Sequence, residues 1–446
     1  MTKPGSRWIS RYESVASLAE IRRRSRVQAI PIIGLGADPV EVACERIRQE
    51  WRRLFVPTDQ ACEIMLMVLG LALAHARLAY PNDVAMSARS YEEVLDIEPY
   101  VPICLTGLQG SGKSTLLRAL GRVLPADDSI VVPCTGDRFP LVAMRAVVVK
   151  GLRSTPAVLR AIAGVKYSPQ KTEDLANGCA RWMYRCGCCL IALDELQFMT
   201  QSEQASALVC QVLLASTYLG VPMVFIPNYS LCHRLLGRPP ETNQRLLTRP
   251  VIVVPDLPDS QDWRDFLAEY QKAVPGLFSF SFVEKANDLW NYCAGIKRNL
   301  AELLVKSYAT ARREGSTTAT WEMVERTYHS VEYSVSRRDI EALVSYALTG
   351  ACPIKNLVCP FQHDREGAYL ARLKVVRSRK VADAVNDTAL SQPERQALAQ
   401  IERELSSEPA PVATAKKART SLRSGPTTAA ELSKNAGLIL GRNKHN

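Results

Sequence analysis

The segment GLQGSGKST, residues 107–115, constrains this chain more than any other feature. It matches G-x-x-x-x-G-K-[ST] in full through Gly107, Gly112, Lys113 and Ser114. An apolar run, residues 101–106, leads into it, and the helix-like LLRALGRVL follows. A strand that turns through glycines into a helix N-terminus forms a phosphate cradle. Glycines let the backbone wrap an anion without side-chain clash. Successive N–H groups and the helix N-terminus attract that anion. Lys113 is expected on the β- and γ-phosphates and Ser114 on Mg2+. Leu108, Gln109, Gly110, Ser111 and Thr115 complete the expected nucleotide-binding loop.

The second part of the expected site is CLIALDE, residues 189–195, an apolar strand ending in two acids. Asp194 at the strand tip suits a Mg2+ held through water. Glu195 suits polarising an attacking water, which favours hydrolysis over phosphoryl transfer to a metabolite. A further apolar strand, in GVPMVFIPN at residues 220–228, ends in the amide of Asn228. That amide either orients the lytic water against the γ-phosphate or simply favours the turn after the strand.

Apolar runs at residues 101–106, 130–134, 189–193, 222–227 and 250–254 alternate with helix-like segments. Such alternation predicts an α/β fold, a parallel sheet with helices on both faces. Residues 39–78 read as helical, with Trp51 and Leu54 beginning an apolar face and Thr58-Asp59-Gln60 after Pro57 as a helix start. Residues 80–99 are polar, and residues 256–346 read as helical without clear strands. The expected organisation is a helical and basic region at 1–99, a nucleotide-binding core at 100–255, a helical lid at 256–346 and a basic extension at 347–446. The extension is rich in Ala, Ser, Thr, Pro and Lys, which predicts partial disorder.

Charge narrows the partners. The net charge is +11, and residues 371–446 carry 14 Lys or Arg against 7 Asp or Glu. That surplus favours a polyanion. The longest apolar run, residues 64–74, is shorter than the roughly 18 residues that span a bilayer and reads as a buried helix, so no membrane partner is expected. The start MTKPGSRWIS has no apolar signal core, which argues against secretion. Thirteen cysteines in a reducing compartment are expected as buried thiols.

Together the loop GLQGSGKST, the run LIALDELQ at residues 190–197 and GVPMVFIPNYSL at residues 220–231 resemble the AAA+ ATPases. Within them the chain looks most like the TnsC/TniB transposition regulators, over about residues 100–305. The resemblance implies an AAA+ P-loop NTPase core with an N-terminal helical region, a C-terminal helical lid and a basic tail. It implies ATP and Mg2+ as ligands, with Asp194 and Glu195 as the Walker B pair and Asn228 as the sensor 1 residue. Gly295-Ile296-Lys297-Arg298 looks like a sensor 2 G-x-x-R, and its Arg298 would reach the phosphates from the lid. A neighbouring subunit would supply an arginine in trans. Arg238, Arg245 and Arg249 are the candidates, and Arg245 on the helix-like stretch 241–247 is preferred. Pro227, beside the sensor position, departs from the pattern and puts the placement of Asn228 in question.

The activity this implies is an ATP-dependent regulator of DNA transposition in a bacterial cytoplasm. Subunits would assemble with ATP on double-stranded DNA as a ring or filament, largely without regard to sequence. They would recruit or activate a transposase under a target-selection protein, and hydrolysis would release them. The alternatives are another AAA+ ATPase, of the replication-initiator, helicase-loader or defence type, and a small-molecule P-loop kinase. Arg22, Arg23, Arg24 and Arg26, and separately Lys150, Arg153, Arg160 and Lys166, are either DNA-phosphate contacts or ordinary solvated faces. Cys186, Cys188 and Cys189 read as buried thiols rather than a metal site. Cys352, Cys359 and His363, with Asp364 as a fourth ligand, are either a zinc site with looser cysteine spacing than is ordinary or residues without a metal.

Overall fold

A computed structural model describes residues 7–92, 98–126, 128–131, 136, 138–152, 154–164, 172–196 and 203–389. Arg153, Lys166, Gln197 and residues 390–446 lie outside the described residues. Contacts divide the chain into two units, Met1–Val381 and Ala382–Asn446, and the first carries all that follows except the end of the last helix.

Helices α1 (Arg7–Glu13), α2 (Leu18–Ser25), α3 (Val40–Arg53), α4 (Asp59–Ala79) and α5 (Asp83–Ser90) open the chain. The helical stretch expected at 39–78 is two helices, and the second begins at the expected start, Thr58-Asp59-Gln60. The stretch breaks because Phe55 leaves to form an antiparallel bridge with Val27. Thr58 then restarts it, its Oγ1 accepting the Ala61 N–H at 3.2 Å as an N-cap. α4 is 21 residues long and, by length and composition alone, apolar enough to cross a membrane. Ile64, Met65, Val68, Leu69 and Ala72 of α4 are buried in the same core as Trp8, Tyr12 and Ile21 of α1 and α2.

The next segment holds β1 (Ile103–Gly107), α6 (Lys113–Val123), β2 (Asp128–Val131), β3 (Arg138–Leu141), β4 (Arg145–Val148), α7 (Thr155–Ala163), α8 (Thr172–Arg185) and β5 (Ile191–Asp194). It continues with α9 (Glu203–Thr217), β6 (Met223–Phe225), α10 (Tyr229–Leu236), α11 (Pro240–Leu246) and β7 (Pro250–Val253). Five strands form one parallel sheet in the order β4-β5-β6-β1-β7. The expectation for residues 130–134 is corrected here. β2 lies outside this sheet and pairs antiparallel with β3. The place in the sheet belongs to β4, an edge strand whose mixed burial and leading Arg145 hide it from an apolar-run reading.

Helices α12 (Gln261–Ala273), α13 (Ala286–Cys293), α14 (Lys297–Arg313), α15 (Trp321–His329), α16 (Ser334–Thr349) and α17 (Asp364–Ala389) follow. Their core contains Trp263, Trp290, Leu300 and Tyr308, and it also takes in Ile47 and Trp51 of α3. The Trp51 indole donates to the Tyr270 carbonyl at 3.0 Å. The N-terminal helices are therefore shared out, α3 to the lid core and α1, α2 and α4 to the sheet core. Parallel strands aim their C-terminal ends one way, and the lid stands at that end, where ligands bind in open α/β sheets.

Candidate functional site

The phosphate loop forms because two of its glycines occupy backbone that a side chain would obstruct. Gly107 has φ +153°, and a Cβ there would fall 2.4 Å from the Val253 carbonyl oxygen on the neighbouring strand. Gly110 has φ +84°, and its Cβ would fall 2.8 Å from the Arg298 Cβ. The loop is thus pinched between β7 on one side and the start of α14 on the other. The Arg298 N–H donates to the Gly110 carbonyl at 3.3 Å.

Lys113 begins α6 and turns its ammonium back onto the loop, donating to the carbonyls of Gly107 at 2.9 Å and Leu108 at 2.8 Å. Burial pulls its pKa down to about 8, with the Arg298 charge adding to the effect and Asp194 opposing it. An incoming phosphate would relieve both penalties. The Ser111 hydroxyl is buried and has no hydrogen-bond partner, an open polar group in a loop built for an anion.

The sheet order explains how the remaining groups converge. β6 lies between β1 and β5, so its tip stands between the phosphate loop and the acidic pair. Asp194 ends β5 and is buried, its Oδ1 accepting the Glu195 N–H at 2.8 Å. Glu195 has φ +62°, one of two non-glycine residues among those described with positive φ. Such backbone costs on the order of 1–3 kcal/mol and gathers at functional sites. Asn228 caps α10, its Oδ1 accepting the Leu231 N–H at 2.9 Å. The turn-favouring role is therefore real, and the residue also lines the cleft. Pro227 ties the strand exit down, its carbonyl accepting the Thr106 hydroxyl at 3.1 Å.

A cleft of about 780 Å³ gathers Gln109, Gly110, Ser111, Gly112, Lys113, Ser114, Thr115, Asp194, Glu195, Asn228 and Arg298. Gly107 and Leu108 shape the loop without lining the cleft, and Arg245 lies elsewhere. Arg245 is exposed on α11, its guanidinium donating to the Tyr218 hydroxyl at 3.2 Å. Ser114 and Asp194 could share a Mg2+ with phosphate oxygens and water, a coordination that needs few protein ligands. Asp256, Lys297, Trp51, Val56, Phe266 and Tyr270 also line the cleft, and sequence reasoning missed them. Lys297, next to Arg298 in the G-x-x-R run, was the one signal that could have been followed.

No group of three or more His, Cys, Asp or Glu able to hold a metal occurs among the described residues. Cys186, Cys188 and Cys189 are buried thiols. Cys352 donates to backbone carbonyls, and His363 accepts the Arg365 N–H. Of the N-terminal arginines, Arg22 pairs with Asp59, while Arg23 and Arg24 pair with Glu20. Those three charges are partly answered within the chain.

Residues 101–235 match the family model described as AAA domain. No curated protein matches the chain in sequence. Among solved structures, the Aeropyrum pernix ORC1 protein in complex with DNA is 18% identical, with a TM-score of 0.36 over 62% of this chain and 67% of that one. Cdc6p from Pyrobaculum aerophilum is 15% identical, with a TM-score of 0.39 over 70% of this chain and 85% of that one. The ADP form of the Aeropyrum pernix ORC2 protein is 13% identical, with a TM-score of 0.40 over 72% of this chain and 86% of that one. The matched domain, the parallel five-stranded sheet and its phosphate loop make the core of this chain an AAA+ P-loop NTPase fold.

Proposed function

We propose that this chain is an ATPase that acts as a DNA-binding regulator of transposition in a bacterial cytoplasm, assembling on duplex DNA with ATP and dissolving on hydrolysis. The observation that carries the ATPase reading is one cleft holding Lys113, Asp194, Glu195, Asn228 and Arg298 around the phosphate loop. Loop N–H groups and Lys113 bind the β- and γ-phosphates, and Ser114 with Asp194 would hold a Mg2+ that would supply charge neutralisation to the phosphates. Glu195 takes a proton from the attacking water. The Asn228 Nδ2 orients that water. Arg298 binds the phosphates from the lid side.

Arg245, exposed and away from the cleft, suits an arginine offered to the site of a neighbouring copy. Such an arrangement couples ATP to assembly, because each interface then completes a site. The transposition reading rests on the LIALDELQ and GVPMVFIPN runs, and the DNA reading on the +11 net charge. A transposase and a target-selection protein are the partners this reading requires.

The test is binding of a random-sequence duplex with ADP and with a non-hydrolysable ATP analogue. Tight binding with the analogue alone, lost in Lys113→Ala, supports the reading. ATP-independent binding by a monomer, or no binding in either state, overturns it. Activation of turnover by a replication origin or a helicase instead would move the chain to the other AAA+ group.

A further inference from the structure

We infer that Asp256 and Lys297 are positioning residues that hold Arg298 at the phosphate end of the cleft. The inference rests on the nucleotide-site reading and adds two residues to it. Arg298 is exposed in the second position of α14, and that helix begins without any side-chain cap. The buried face of α14, with Leu300, Leu303, Leu304 and Tyr308, seats the body of the helix, and its uncapped first turn, which carries Arg298, is left to be held by contacts from outside the helix.

Three contacts hold that first turn. The Arg298 N–H bonds the Gly110 carbonyl on the loop side at 3.3 Å. The neighbouring Lys297 ammonium meets the Asp256 carboxylate at 2.9 Å. The same ammonium lies 5.0 Å from the centroid of the Phe266 ring. The Trp290 indole then donates to the Asp256 carbonyl at 2.8 Å, joining α13 to the same residue. Asp256 lies three residues beyond the end of β7, so the anchor belongs to the sheet side of the cleft.

Geometry makes the arrangement specific. Successive residues on a helix point about 100° apart, so tethering Lys297 in one direction fixes the direction of Arg298. The turn before α14 is equally confined. Gly295 has φ +68°, and a Cβ there would fall 2.6 Å from the Trp290 Nε1 and 3.0 Å from the Asp256 carbonyl oxygen. The pair is also sheltered, with the Asp256 side chain 10% and that of Lys297 25% exposed, so solvent screens it weakly. A guanidinium held this way meets a phosphate without first paying for its own alignment.

The test is a double-mutant cycle on ATP turnover in the full-length protein. Asp256→Asn and Lys297→Met should each lower kcat about 10-fold and leave KM for ATP within about 3-fold. Lys297→Met keeps the apolar stem over Phe266, so it reports on the charge even where Asp256→Asn perturbs folding. Lys297→Arg should restore most of the loss. In an Arg298→Ala background, Asp256→Asn should add nothing, because its effect runs through Arg298. Equal losses in both backgrounds, or unchanged kcat in Asp256→Asn and Lys297→Met, overturn the inference. The site reading fails separately, and this inference with it, if Lys113→Ala or Arg298→Ala turns over ATP like the unaltered chain.

Discussion

Gly110 and Arg298 touch backbone to backbone, the carbonyl of one accepting the N–H of the other at 3.3 Å, with no room for a methyl group between them. The phosphate loop and the lid are therefore in direct register. Gly110→Ala should force them apart, because the added Cβ meets the Arg298 Cβ at 2.8 Å in a backbone region that already disfavours it. ATP affinity is expected to fall about 10-fold or more, for a strain of roughly 1–3 kcal/mol. Titration of the variant with a fluorescent ATP analogue checks this, and wild-type affinity would refute the packing argument.

Lys113 carries a proton-linkage signature. Burial lowers its pKa from 10.5 to about 8. A bound triphosphate supplies negative charge and raises it again. At about pH 9 nucleotide binding should therefore take up a sizeable fraction of a proton, and affinity should weaken as pH rises beyond 8. At about pH 7 the lysine is already charged and contributes little uptake. Calorimetry in two buffers of different ionisation enthalpy measures the difference, and proton release at the higher pH would contradict it.

Glu195→Gln should separate binding from chemistry. The substitution keeps the size of the side chain and removes the base, so hydrolysis should drop about 100-fold or more while ATP still binds. Nucleotide retained on the variant after gel filtration, with no phosphate release, is the expected outcome. Wild-type turnover would remove Glu195 from the mechanism.

Arg245 is read as acting on a neighbour, which a mixing experiment tests. Arg245→Ala should lose about 1,000-fold in turnover by removing the charge offered in trans, whereas Glu195→Gln loses the base. Combining the two variants should restore part of the activity, because some interfaces then pair an intact arginine with an intact base. Absence of any recovery, with assembly shown by light scattering, would assign the trans role elsewhere.

His75 makes the fold acid-sensitive. It is buried on α4, its Nδ1 lies 3.1 Å from the Tyr100 hydroxyl, and burial, then the charge of Arg89, lowers its pKa to about 4. An unfolded chain binds that proton near pH 6.5, so stability is lost as pH falls from about 6.5 to 4. The loss is at most on the order of 3 kcal/mol. Denaturant melts across that range should flatten in His75→Gln, whatever its stability at neutral pH.

What the sequence determined by itself is chemistry that is local in the chain. The loop at residues 107–115, the acid-ended strand at 191–194 and the capping Asn228 are each written in contiguous residues, because strand, turn and helix start are short-range structures. Tertiary structure decided what depends on neighbours far along the chain. Edge strand β4 buries too little to announce itself, so only pairing with β5 gives it a place in the sheet. The placement of Asn228 between loop and acids follows from strand order, which periodicity does not encode. Asp256 and Lys297 became part of the site because an ion pair needs proximity in space, and the sequence separation of two residues carries no measure of that.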